Sequence, residues 1–204
     1  MRDALPVTVA MTGASGAQYG LRLIQCLVGA GRDVYLMLSK PAQIVIGLET
    51  ELSLPGRDRD MERYLSGLYD ARPGQIRVFG REEWTAPVAS GSAHSAGMVI
   101  CPCTTGTLAS VAAGTSQNLI ERAADVTLKE GRKLVLVVRE TPFSSIHLEN
   151  MLRLARVGAC VLPANPGFYN RPETVADLVD FVVARILDQL RIVQLLAPRW
   201  GQDG

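Results

Sequence analysis

The stretch Val7-Thr-Val-Ala-Met-Thr-Gly-Ala-Ser-Gly-Ala-Gln-Tyr-Gly20 decides the fold. Its first five residues form a run of strand character, Thr12 to Gly16 form a Gly/Ser turn, and Ala17 to Val28 carry a helical apolar period. The glycines are spaced G-x-x-G-x-x-x-G, which is neither G-x-G-x-x-G nor a G-K-[ST] phosphate loop. A strand, a small-residue turn and a helix still make an anion cradle, because free amides at a helix N-terminus attract negative charge. Working outward, the same β-then-α rhythm returns. Val34 to Leu38, Met98 to Cys101, Leu134 to Val138 and Ala159 to Leu162 are continuous apolar runs, as expected of strands covered on both faces. Helical patterns occupy Pro41 to Glu49, Thr107 to Ala113, Asn118 to Glu130, Ser145 to Val157 and Glu173 to Leu190. The expectation is α/β: a Rossmann-like, doubly wound, mostly parallel sheet flanked by helices, one domain over 1–204. Residues 51–96, with Pro55, Pro73, Pro87 and the charged run Arg57 to Arg63, read as an irregular insertion, a lid or an assembly segment, with one strand at Ile76 to Phe79. Residues 191–204 read as a C-terminal tail.

Composition narrows the function classes. A chain of 204 residues buries roughly 70% of its unfolded surface on folding, and 48% hydrophobic residues exclude a disordered chain. Its longest apolar stretches fall far short of the ~20 residues that span a bilayer. The net charge of +1 supplies no global field for nucleic acid or anionic lipid, so any anion must be held by a local site. Cys26, Cys101, Cys103, Cys160, His94 and His147 lack the spacing of a zinc site. No metal is therefore expected. The opening Met-Arg-Asp-Ala-Leu-Pro runs into the first strand with no apolar leader, so a cytoplasmic protein is expected.

In an open parallel sheet, ligands bind beyond the carboxyl ends of the strands. The second strand ends at Ser39, which can cap the next helix or touch a ligand. The Met98 strand gives Cys101-Pro-Cys-Thr-Thr-Gly-Thr107, a second anion nest, and the Leu134 strand ends in Arg139-Glu140. A charged pair directly after five apolar strand residues points into the crevice. Arg122 and Lys129, seven residues apart, share one helix face. With Arg139, Tyr169 and Arg185 they supply donors for an anion.

Taken in order, Thr12-Gly-Ala-Ser-Gly-Ala-Gln-Tyr-Gly20, Ser39-Lys40, Ala89-Ser-Gly-Ser92, Cys101 to Leu108, Asn118 to Asp125, Arg139-Glu-Thr-Pro142, Pro166-Gly-Phe-Tyr169 and Pro198-Arg-Trp200 resemble the flavin prenyltransferases of the UbiX type. That group lies within the flavin-containing cysteine decarboxylase-like superfamily. Thr104 stands where a serine is usual, and the hydroxyl is kept. The Pro-x-Met-Asn signature of the cysteine decarboxylase branch is replaced by Pro163-Ala-Asn-Pro. The resemblance implies transfer of a dimethylallyl group from dimethylallyl phosphate to N5 and then C6 of reduced FMN, without metal. The prenylated FMN would serve a UbiD-type decarboxylase, in ubiquinone synthesis or aromatic acid metabolism. It implies that Gly13, Ala14, Ser15, Ser39, Thr104, Thr105, Gly106, Thr107 and Arg139 bind FMN. Ser90, Gly91, Arg122, Lys129, Arg139, Tyr169, Arg185 and Trp200 would hold the prenyl phosphate. The Ser90 loop, Arg122 and Lys129 could come from a neighbouring subunit of a dodecamer. Glu140 is the first candidate for the proton movements of ring closure, assisted by Glu49 and Ser15, with Lys129 also in the catalytic set and Trp84 covering the allyl fragment. The other readings are an FMN-dependent cysteine decarboxylase and an FMN carrier without chemistry.

Overall fold

The computed structural model describes residues 5–197. In chain order its elements are β1 (Val7–Met11), α1 (Ala17–Gly29), β2 (Val34–Leu38), α2 (Lys40–Glu49), α3 (Asp58–Leu68), β3 (Ile76–Val78), β4 (Gly97–Cys103), α4 (Thr105–Ala113), α5 (Leu119–Lys129), β5 (Leu134–Val138), α6 (Ser145–Arg156), β6 (Cys160–Pro163) and α7 (Val175–Gln189), with a short 3-10 turn at Pro87–Ala89. The six strands lie in the order β3-β2-β1-β4-β5-β6, and every pairing is parallel. The order reverses between β1 and β4. There the connections leave to opposite sides and open a crevice beyond the strand ends.

Continuous apolar strands follow from two cores, one on each face. Val7, Val9 and Met11 of β1 join Val99 and Cys101 of β4 beneath α1 and α7. Ala10, Met98, Ile100, Leu134 and Leu136 point the other way, against Leu108, Leu119, Ala123 and Leu154. Alternate residues therefore serve alternate faces, and both faces need aliphatics.

Two differences from the sequence reading have physical causes. Residues 51–96 are not simply irregular. Helix α3 forms there because Asp58 and Asp60 sit in its first turn, where the helix dipole favours negative charge, and because Met61 and Leu65 share one buried face. Strand β4 continues past Cys101 through Pro102. The pairing register with β5 shifts between Ile100 and Cys103, and such an irregularity is where a sheet tolerates a residue that cannot donate.

Gly20 explains how α1 lies so close to the sheet. A methyl group at this position would stand 2.4 Å from the Cys101 carbonyl oxygen. Gly20→Ala should therefore cost about 1–3 kcal/mol in denaturant unfolding. Gly29→Ala, where an added methyl meets nothing within 4 Å, should be neutral or stabilising, and equal losses from both would overturn this account.

Candidate functional site

One buried hydroxyl reinforces the backbone bonds that close the crevice. Thr12, just past β1, donates through Oγ1 to the Pro102 carbonyl at 2.9 Å and accepts from the Thr104 amide at 2.9 Å. Thr12 is 3% exposed. Its single proton is committed, so it fastens the end of β1 to the end of β4 and is not a ligand donor.

Around this clamp lies a cleft of about 260 Å³, lined by Thr12, Gly13, Ser39, Lys40, Pro41, Arg81, Thr104, Thr107, Asn118, Ile120 and Glu121. Ser39 caps α2 by accepting the Ala42 amide at 3.1 Å, and its hydroxyl proton stays available. Thr104 caps α4 by accepting the Thr107 amide at 3.1 Å and passes its proton to Thr107 Oγ1 at 2.9 Å. The Thr107 proton is thereby left to donate. Free hydroxyl donors beside helix N-termini fit a phosphate ester with a polar chain. Gly13 lets two segments cross, since a methyl group there would lie 2.4 Å from Pro41 Cβ.

The adjoining cluster corrects one expectation. The amides at the start of α1 are not a vacant anion cradle, because Glu49 fills it: Gly16 N and Ala17 N donate to Glu49 Oε2 at 2.8 and 2.9 Å. Burial raises the Glu49 pKa, but the Ser15 hydroxyl, these two amides and the Arg139 charge outweigh it, and the net direction is down. Arg139, directly after β5, donates through Nε to the Ser15 carbonyl at 3.3 Å. Glu140 accepts from Thr105 Oγ1 at 3.5 Å and from the Thr141 amide at 3.1 Å. Ser15, Glu49, Thr105, Arg139 and Glu140 thus form a second group, tied by these contacts to the ends of β1, β4 and β5. Ala14 is buried within the same turn and Gly106 is exposed on the first turn of α4.

The residues expected to hold the prenyl phosphate are not brought into this cleft within one chain. Arg122 donates to the Ala89 carbonyl at 3.1 Å and pairs with Asp125 at 2.9 Å, and Lys129 pairs with Glu130. Gly91 packs against that Glu130 carboxylate. Arg132 binds the Gly91 and Ala93 carbonyls at 2.6 and 2.7 Å. Together with Ser90 they form a patch along α5. The crevice beside it, lined by Ser90, His94 and Arg132 among others, holds about 10 Å³, room for a water and not for a prenyl phosphate. Arg185 pairs with Asp188 at 2.8 Å on α7. Tyr169, in the loop before α7, stacks edge-on to Phe181 at 5.6 Å. Trp84 is 48% exposed. Trp200 lies outside the described residues. Sequence reading missed Arg81, Asn118 and Glu121 as cleft residues. Their only signal was the stretch opening at Asn118, read as a helix start and as part of the family resemblance.

The depressed Glu49 pKa sets a pH dependence. A lowered folded-state value gives stability that is present above the ordinary value near 4.5 and is lost as pH falls through the folded value. Glu49→Gln should therefore be less stable than wild type near pH 7, by about 1 kcal/mol, with the gap closing on acidification towards pH 3. A gap in denaturation midpoints that stays constant with pH would contradict the assignment.

The comparisons with known proteins agree with this architecture. The flavoprotein family model matches residues 1–187. The flavin prenyltransferase UbiX of Pseudomonas aeruginosa is 61% identical over 197 residues, covering 97% of this chain and 94% of that protein. UbiX of Halalkalibacterium halodurans is 48% identical, covering 96% and 93%. Among solved structures, AnUbiX in complex with FMN and dimethylallyl pyrophosphate superimposes with a TM-score of 0.86 at 38% identity, covering 98% of this chain and 99% of that one. A dodecameric FMN-dependent UbiX-like decarboxylase from Escherichia coli O157:H7 gives 0.83 at 45% identity, covering 96% and 99%. With a six-stranded sheet reversing at β1 and β4, and with relatives this similar over nearly its whole length, the chain belongs to the flavoprotein family, among the flavin prenyltransferases of the UbiX type.

Proposed function

We propose that this chain transfers a dimethylallyl group from dimethylallyl phosphate to reduced FMN. The observation that carries the reading is the joining of a hydroxyl-lined cleft to the Ser15–Glu49–Arg139–Glu140 group at the β1/β4 reversal. When bound, reduced FMN supplies the nucleophilic nitrogen that takes the five-carbon group as phosphate leaves with the C–O electron pair.

The side chains have separable tasks in this reading. Ser39, Thr104 and Thr107, with Gly13, Ala14, Thr105 and Gly106 shaping the loops, hold the flavin nucleotide. Arg139, fixed by the Ser15 carbonyl, places a permanent positive charge at the crevice, where preorganised donors stabilise developing phosphate charge. The Ser15 hydroxyl donates to the Glu49 carboxylate, which this bond and its amide donors keep ionised. Glu140 accepts the proton released on ring closure. The phosphate set is Ser90, Gly91, Arg122, Lys129, Tyr169 and Arg185, with Trp84 as an aromatic cover, and of these the Ser90 loop, Arg122 and Lys129 come from a second copy of the chain. Support comes from the separation of the Ser90–Lys129 patch from the cleft within one chain. It comes also from the exposed apolar side chains Ile146, Leu148, Leu152 and Val157 on and beside α6, a surface that association would bury. A dodecamer, as in the Escherichia coli relative, is the assembly we propose. AnUbiX was captured with the pyrophosphate donor, so the monophosphate is a choice for experiment to check.

The product is proposed to pass to a UbiD-type decarboxylase. No helix among the described residues is long and apolar enough to cross a membrane. The cytoplasm is the compartment we infer, since the four cysteines sit free as buried or half-buried side chains. No group of His, Cys, Asp or Glu suited to a metal occurs among the described residues.

Anaerobic incubation with reduced FMN and dimethylallyl phosphate should add five carbons to the flavin in a mass spectrum, and an unchanged flavin would sink the proposal. Glu140→Gln should lower turnover by about 10²–10⁴-fold while FMN stays bound. A flavin carrier would be indifferent to that change, and a cysteine decarboxylase would instead release carbon dioxide from a peptidyl-cysteine.

A further inference from the structure

The cleft contains two cations that the proposed reaction does not use. Lys40 opens α2 and Arg81 follows β3, and both line the cleft beside Ser39, Thr104 and Thr107. Among the described residues neither takes part in an ion pair, whereas Arg122, Lys129 and Arg185 are each paired with a carboxylate of their own helix or its end. Arg81 has an acid close by in sequence that it leaves alone. Glu83 turns its carboxylate to the Gly80 amide at 3.2 Å. The cleft's only carboxylate, Glu121, is 8% exposed. It is already engaged by Thr115 Oγ1 and the Gln117 amide, each at 2.9 Å, and by Asn118 Nδ2 at 2.7 Å. It masks neither cation.

Two like charges lining one cleft, neither held in an ion pair, repel each other, and a dianion between them removes that cost. A phosphate monoester carries close to two negative charges at neutral pH. Both cations stand on fixed backbone. The Leu119 amide donates to the Arg81 carbonyl at 2.8 Å, and Lys40 is the first residue of a helix capped by Ser39. Arg139 and Glu140 do not line this part of the crevice. A ligand phosphate held here therefore lies apart from the group assigned to the reaction, an arrangement that suits a mononucleotide better than a five-carbon phosphate.

We propose that Lys40 and Arg81 clamp the phosphate of the flavin mononucleotide and so make the cleft selective for FMN over riboflavin, an inference that rests on the flavin reading above. Riboflavin has the same ring and ribityl chain and lacks only the phosphate, so it isolates the effect. Flavin affinities of wild type, Arg81→Gln, Lys40→Gln and the double variant can be measured by fluorescence quenching, with no turnover needed. FMN affinity should fall about tenfold for each cation removed, riboflavin affinity should hold within about twofold, and the salt dependence of FMN binding should flatten in the double variant. Unchanged FMN affinity in the double variant, or parallel loss of FMN and riboflavin, would overturn the clamp. A wild type that binds FMN and riboflavin equally would also overturn it while leaving the flavin reading intact. A wild type that binds neither flavin would remove the flavin reading and the clamp together.

Discussion

The Thr12 hydroxyl, donating to Pro102 and accepting from Thr104, is the contact on which the rest of the site depends. It joins the two strands between which the sheet order reverses, at the level where both chains leave the sheet. On one side of this junction the chain turns through Gly13 to Gly16 into α1. On the other it turns through Thr104 into α4. With one buried hydroxyl satisfying both directions, the loops stay close enough to share a cleft and far enough apart to leave one open. An unpaired polar group at this depth would cost about 1–3 kcal/mol, so the clamp fixes geometry and stability together.

Electrostatics at the crevice is arranged by occupancy rather than by net charge. Glu49 fills the α1 N-terminus and stays ionised there, while Arg139 answers its charge from the end of β5. Glu121 is tied down by its own loop. Glu140, beside them, accepts from the Thr105 hydroxyl and the Thr141 amide, so each of these three carboxylates is engaged. The formal charge of +1 for the chain thus conceals a strongly structured local field. Arg122 and Lys129 belong to another such arrangement along α5, paired with Asp125 and Glu130.

Much of the fold was legible because strands covered on both faces must be apolar at every position. Val7 to Met11 and Leu134 to Val138 read as strands for that reason, and the Thr174-capped helix α7 showed its period plainly. Helix α3 was hidden because its buried face amounts to Met61 and Leu65 inside a charged run, between segments rich in proline and glycine. In the candidate site, the positions of Ser39, Thr104, Thr107 and Arg139 just beyond strand ends were legible, and the first three line the cleft while Arg139 stands in the adjoining group. The Glu49 cap could not, since it spans more than thirty residues of chain and depends on how α2 docks beside α1. Nor could the separation of Arg122 and Lys129 from the cleft, which is set by where α5 lies and not by the seven-residue spacing that suggested a shared task.

The central claim is that the β1/β4 crevice is the flavin site and that the α5 patch completes it from another copy. A crystal structure of the assembled protein with FMN and dimethylallyl phosphate tests it most directly. The account predicts flavin density at the ends of β1 and β4, with Ser15, Glu49 and Arg139 beside its ring, and donor phosphate near Arg122 and Lys129 of an adjacent subunit. Flavin found away from this crevice, or a donor phosphate surrounded only by side chains of the chain that holds the flavin, would contradict it.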